Sequence, residues 1–153
     1  MKRYYIAYGS NLNVRQMKFR CPTAKIVGTA VIGDYELLYK GSKTGSYLTI
    51  EKKKGSVVPV AVWEVTAADE HNLDIYEGYP NFYYKKNMKI RLSETGKMID
   101  AFEYIMHEER RFGIPTSAYV STCKFGYTIF GFDFKYLDEA YEKSLKGVAN
   151  NEK

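Results

Sequence analysis

β-Favouring runs crowd the first two-thirds of this chain, and most come in pairs about a short turn. Residues 25–32 and 35–39 flank Gly33-Asp34, a hairpin signal. Residues 47–51 and 57–65 flank Lys52-Lys53-Lys54 and Gly55, and 82–92 and 98–107 flank Ser93-Glu94-Thr95-Gly96. Strands joined this closely pair antiparallel. Pro59 has no N–H to give to a ladder, so it predicts an edge position or a bulge. Gly41-Ser42-Lys43-Thr44-Gly45 reads as a flexible loop. One helix starts at Thr66, with Asp69 in capping-box position, Leu73, Ile75 and Tyr76 as apolar contacts and Gly78 as its stop. A last helix follows Asp133, buries Leu137, Ala140, Tyr141 and Leu145, and stops at Gly147. Between them, Tyr119, Cys123 and Tyr127 have helical spacing, although Thr116, Ser117, Val120, Ser121 and Thr122 are indifferent helix formers. Pro115, placed in the first turn, decides for a helix. The pattern predicts an α+β fold with a mostly antiparallel, closed or nearly closed sheet, in a single domain over residues 1–153.

Length and composition exclude several classes. A chain of 153 residues buries about two-thirds of its unfolded surface. Its 45% hydrophobic and 27% charged content fits a globular domain, not disorder. Cys21 and Cys123 stand far apart, with no CxxC and no Cys/His clustering, which argues against a disulfide framework and a zinc site and suits a reducing cytoplasm. Five apolar residues before Gly9 are too few for a signal-peptide core, and nothing approaches a membrane span. The net charge of +5 permits nucleic-acid binding, but the lysines are scattered, and the one tight cluster, Lys52-Lys53-Lys54, reads as a solvated turn. Lys124-Phe125-Gly126-Tyr127 superficially resembles the aromatic strand of an RNA-recognition module; its spacing and its place in the chain are wrong for one.

Two stretches carry chemistry. The run at 4–7 reads as a strand, and Asn13, with Gln16 three residues on, reads as the capped start of a helix ending before Cys21-Pro22. Between them, Tyr8-Gly9-Ser10-Asn11-Leu12 turns from strand to helix and gathers backbone N–H groups at one point, where carboxylate or phosphate is attracted. An ordinary strand-to-helix turn would look the same. The second stretch holds Glu77, at the C-terminal end of its helix, where the macrodipole disfavours negative charge. It follows Leu73 by one turn, so it faces the same interior, and Tyr76 and Tyr79 flank it. Dipole, partial burial and aromatic neighbours raise its pKa toward neutrality, which suits a group that both takes and gives a proton. The alternative is a glutamate pointing to solvent beside a helix-ending glycine.

Together, Tyr8-Gly9-Ser10-Asn11-Leu12 and Leu73-Asp74-Ile75-Tyr76-Glu77-Gly78-Tyr79 closely resemble the γ-glutamylcyclotransferase family. The likeness continues through Gly45-Ser46-Tyr47-Leu48-Thr49-Ile50, Val62-Trp63-Glu64-Val65 and Pro115-Thr116-Ser117-Ala118-Tyr119, and it spans residues 4–146. The resemblance implies a small β-barrel decorated by helices, a cavity at its mouth, and an activity without metal or organic cofactor. It implies that Tyr8, Gly9, Ser10, Asn11 and Leu12 hold the α-carboxylate of a γ-glutamyl group and that Glu77 is the acid/base. It adds Tyr119 as a pocket tyrosine, and Tyr83, with Tyr84 beside it as the alternative. The partner implied is a small γ-glutamyl substrate, with neither nucleic acid nor membrane, acted on by a monomer or homodimer. Residues 78–83 belong to a variable part of the family, which leaves the leaving group open.

The chemistry fits these residues. A γ-glutamyl amide carries its own nucleophile, the α-amine, tethered to the carbonyl it attacks, so a protein must mainly hold one conformer. One carboxyl of near-neutral pKa can move both protons, releasing 5-oxoproline and an amine or amino acid. Two other classes stand beside this one: a non-catalytic relative that binds an amino-acid-like ligand, and a basic interaction module for nucleic acid or protein.

Overall fold

The two longest strands, β2 (Lys25–Ser42) and β3 (Gly45–Val65), run antiparallel along almost their whole length. The Gly33-Asp34 hairpin and the lysine turn expected from the sequence do not form. Gly33 pairs with Val57 and Tyr35 with Lys52, so Asp34 lies opposite the looped-out 53–56 stretch in a double bulge. Asp34 takes φ 60° and Gly55 φ 86°, and the Asp34 carboxylate accepts a hydrogen bond from the Gly55 N–H at 2.9 Å. Turn-type residues thus bend two paired strands together instead of reversing one, because the apolar runs on either side continue a single ladder. β2 ends at Ser42, which pairs with Gly45 at the start of β3. The computed structural model describes residues 2–42 and 45–151, so Lys43 and Thr44, in the middle of the expected loop, lie outside the described residues. Lys52, Lys53 and Lys54 are exposed on the bulge.

β1 (Arg3–Ala7) pairs antiparallel with β3 and parallel with β5 (Met98–Met106), which pairs antiparallel with β4 (Tyr83–Arg91). A short strand not anticipated from the sequence, β6 (Arg111–Phe112), joins β2 and completes the order β4-β5-β1-β3-β2-β6. Pro59 pairs with Val31 beyond Ala61, where the β1 ladder ends, so its missing N–H falls where β3 is paired on one side only. The sheet curls until its far sides meet: Ser93 N donates to Thr29 O at 2.8 Å, and Met106 N to Thr49 Oγ1 at 2.9 Å. Inside lie Ile6, Ile50, Val60, Val62 and Ile105, each at most 2% exposed. Each such side chain contributes about 1.5–3 kcal/mol relative to its exposed form.

Among the described residues, four α-helices and one 3-10 turn (Ser10–Leu12) decorate the sheet. Helix α1 (Val14–Arg20) is capped by the Asn13 side chain, which accepts from Arg15 N and Gln16 N. Gln16 accepts from Arg20, so only the forward half of the expected capping box is made. Helix α2 (Ala67–Glu77) has the complete box between Thr66 and Asp69, and Gly78 ends it in the left-handed conformation. Its buried apolar contact is Leu73; Ile75, at 69% exposed, faces solvent instead. Helix α3 (Ser117–Phe130) is capped by Thr116, which places Pro115 just before the helix and not in its first turn. In α4 (Lys135–Asn151) the stripe is Leu137, Ala140 and Ser144, while Tyr141 and Leu145 are exposed. Gly147 does not stop α4. A Cβ there would collide with the Phe112 ring, so this glycine lets the helix lie against β6.

Candidate active site

The 3-10 turn follows β1 directly and is pinned from three sides. Gly126 of α3 lies beneath it: a Cβ at this position would stand 2.5 Å from Leu12 C and 2.8 Å from Asn13 N. At Gly9 a Cβ would meet the Tyr119 hydroxyl at 3.3 Å and Leu48 Cβ at 3.4 Å. Within the turn, Leu12 N donates to Gly9 O and Asn13 N to Ser10 O, each at 3.0 Å. The N–H groups of Ser10 and Asn11 precede any carbonyl the turn could offer them and stand at its open end. Asn11 Nδ2 donates to the Tyr5 hydroxyl at 2.9 Å, which fixes the turn to β1.

Beside this turn opens a cavity of about 190 Å³. Tyr8, Gly9, Ser10 and Asn11 line one side of it, Tyr76 and Glu77 of α2 another, and Tyr5, Tyr104, Tyr83, Phe82, Tyr47, Leu48 and Tyr119 the remainder. Of the residues singled out from the sequence, the fold brings together all but Leu12. That side chain is fully buried as packing against α3 and does not line the cavity. The choice between Tyr83 and Tyr84 is settled by strand alternation. Tyr83 faces the cavity and donates to the Leu48 carbonyl at 2.8 Å, while the Tyr84 hydroxyl donates outward to Glu108 at 2.5 Å. Leu48 N donates to the Tyr119 hydroxyl at 3.1 Å, so one residue of β3 holds both pocket tyrosines. Tyr79, expected beside the acid, is absent from the cavity wall and packs edge-on to Tyr104 at 6.4 Å.

Glu77 is half-buried, with its open side toward the cavity. Burial pushes its pKa up to about 7, and the Arg20 guanidinium opposes the rise. Burial raises the phenols of Tyr5, Tyr8, Tyr83 and Tyr119 as well, so they are neutral donors or acceptors near neutral pH. The thiols of Cys21 and Cys123 are pushed up to about 12, which leaves no thiolate nucleophile here. Asp74, three residues before the acid, accepts from the Tyr104 hydroxyl at 2.6 Å and pairs with Lys85 at 2.8 Å. Among the described residues, no cluster of three His, Cys, Asp or Glu side chains could hold a metal.

Sequence reasoning missed Arg20, Tyr5 and Tyr104. Tyr5 and Tyr104 sit in strands, where a single sequence does not say which face is which. Arg20 carries no motif; its place in the last turn of α1 suggests only a favourable helix dipole.

The family model described as "Gamma-glutamyl cyclotransferase, AIG2-like" matches residues 5–121. The gamma-glutamylcyclotransferase of Homo sapiens is 32% identical over 110 residues, covering 67% of this chain and 58% of the human protein. That of Mus musculus is 28% identical over 156 aligned positions, covering 97% of this chain and 79% of the mouse protein. A solved structure named gamma-glutamyl cyclotransferase superposes with a TM-score of 0.81 at 26% identity, over 92% of this chain and 86% of its own.

Proposed function

Because the chain belongs to the gamma-glutamyl cyclotransferase, AIG2-like family, we propose that it is an enzyme that cleaves a γ-glutamyl amide into 5-oxoproline and a free amine or amino acid. The observation that carries this reading is Glu77: one carboxyl with a proton affinity near neutrality, facing the same small cavity as the Ser10–Leu12 turn. At about 190 Å³ the cavity lies below the range of drug-sized sites, which suits an amino-acid-sized head group.

The N–H groups of Ser10 and Asn11 receive the substrate α-carboxylate, and the hydroxyls of Tyr83 and Tyr119, both tied to Leu48, confine the chain that must fold back. Glu77 removes a proton from the α-ammonium. The freed amine attacks the γ-carbonyl, forming the ring C–N bond, and the amide C–N bond breaks as Glu77 returns the proton to the leaving nitrogen; the ring nitrogen then passes its extra proton, again through Glu77, to the released amine, which departs as an ammonium. The acid is regenerated in the protonation state in which it began, so the step needs no co-reactant. The reaction belongs in the cytoplasm, where Cys21 and Cys123, both buried and free, stay reduced. Among the described residues no helix is long and apolar enough to cross a membrane.

Incubation with a panel of γ-glutamyl amino acids and γ-glutamyl amines, followed by detection of 5-oxoproline, tests the proposal. Turnover of at least one panel member is expected. Saturable binding without any 5-oxoproline would replace it with the non-catalytic ligand-binding reading.

A further inference from the structure

The turn and the acid come from different parts of the chain, and one side chain touches both neighbourhoods. Arg20, in the last turn of α1, reaches back with Nη1 to the Asn11 side-chain oxygen and, at 3.4 Å, to Ser10 Oγ. Its Nη2 donates to Gln16 Oε1 at 2.8 Å, which aims the fork. Its Cζ stands 3.4 Å over the centre of the Tyr76 ring, the residue directly before Glu77. Ser10 Oγ and the Tyr76 hydroxyl are themselves 3.4 Å apart, closing a ring of contacts, and Asn72 of α2 donates to the Arg20 carbonyl at 3.1 Å. No carboxylate of the described residues forms a salt bridge with Arg20, so its charge is not spent on an ion pair.

We propose that Arg20 is the positioning residue of this site, holding the Ser10–Leu12 turn and the end of α2 in one frame and lending its charge to both. A planar fork suits this task, because it bonds three oxygens in its plane while its face stacks on an aromatic ring. Lysine keeps the charge and loses that geometry. The groups facing Glu77 make Arg20 the charge that matters. Tyr5, Tyr8, Tyr76, Tyr83, Tyr104 and Tyr119 all sense the Glu77 carboxyl and all have raised pKa values, so they stay neutral. Behind Tyr104, Asp74 and Glu70 share Lys85, and Arg3 pairs with Glu70, so these four charges cancel.

The inference rests on the proposed cyclotransferase reading for its kinetic consequence, but not for its electrostatic one. The experiment compares Arg20→Gln and Arg20→Lys with the parent, after thermal melts establish which variants are folded. The Glu77 carboxyl is titrated by carbon NMR in ligand-free protein, with Glu77→Gln assigning the signal. Arg20→Gln is expected to raise the titration midpoint by about one pH unit, and Arg20→Lys to leave it near the parent value. With γ-glutamyl-alanine as substrate, both variants are expected to raise KM roughly tenfold, from the lost charge-assisted bonds to the turn. Only Arg20→Gln should shift the pH profile. An unmoved midpoint in Arg20→Gln, or a parent-like KM in Arg20→Lys, overturns the proposal. If Arg20→Gln does not fold, the KM of Arg20→Lys decides alone. If the parent turns over no γ-glutamyl compound, the functional reading falls and the titration still judges Arg20.

Discussion

Glu77 is the residue on which the chemistry turns, and Glu77→Gln isolates its proton from its shape. General acid/base groups are worth about a hundredfold to ten-thousandfold in rate, or roughly 3–5 kcal/mol of barrier. A loss of that size in 5-oxoproline formation is expected, with a parent-like melting temperature. Stability should follow a defined sign. The folded pKa, about 7, lies above the ordinary glutamate value of 4.5, so the unfolded chain releases this proton first as pH rises. The contribution is full below about pH 4.5 and is lost as pH climbs through 7. Above pH 7, Glu77→Gln should therefore melt no lower than the parent. Asp74 cannot serve as the neutral control, because it holds the Tyr104 hydroxyl at 2.6 Å. Glu109→Gln, on the exposed 107–110 turn, serves instead and should leave the rate intact. Near-parent activity in Glu77→Gln would assign the proton transfers to another group.

At the scale of elements, the site depends on how closely α3 approaches the 3-10 turn. Gly126 is the point of contact, and the atoms a Cβ would meet are the backbone of Leu12 and Asn13, which cannot rotate away. Gly126→Ala must move either the helix or the turn. Overpacking of this kind costs about 1–3 kcal/mol, or roughly 2–12 °C in a chain of this size. Because Tyr119 rides on the same helix, turnover should fall further than stability alone explains. Gly33→Ala, where an added Cβ meets nothing within 4 Å, is the matched control for helix-free glycine loss. Equal melting temperatures for the two variants would show that α3 does not press on the turn.

Across the whole molecule, the barrel carries a second acid with no place in the proposed reaction. Glu103 is fully buried on β5, neither of its oxygens has a hydrogen-bond partner among the described residues, and burial pushes its pKa up to about 7 against the pull of Lys86. The sign is the same as for Glu77: the unfolded chain deprotonates first, and stability is lost between about pH 4.5 and 7 as the pH rises. That difference in proton affinity contributes on the order of 3 kcal/mol. Denaturant melts at pH 5 and pH 8 should show the parent weakened at the higher pH and Glu103→Gln weakened distinctly less. An identical pH dependence in the two proteins would mean that Glu103 is ionised and paired in solution.

Local chemistry was legible in the chain: the Thr66–Asp69 capping box, the left-handed stop at Gly78, the Asn13 cap, and the Tyr8-Gly9-Ser10-Asn11 turn all depend on residues within a few positions of one another. So was the direction of the raised proton affinity of Glu77, because a one-turn spacing from Leu73 already turned the carboxyl toward the interior, and burial is what raises it. Gly33-Asp34 and Gly147 were misread for one reason. A glycine that reverses a chain, bulges a strand or admits a neighbouring ring is the same residue, and only the partner strand or the Phe112 ring tells these apart. Arg20 and Glu103 were invisible because their roles depend on what stands opposite across the fold. Ser10, Asn11 and Tyr76 converge on Arg20, whereas an apolar barrel encloses Glu103 and offers it no donor. Capping and turn preferences act over a few bonds and are written into the chain, while desolvation and long-range pairing exist only once the sheet has curled shut.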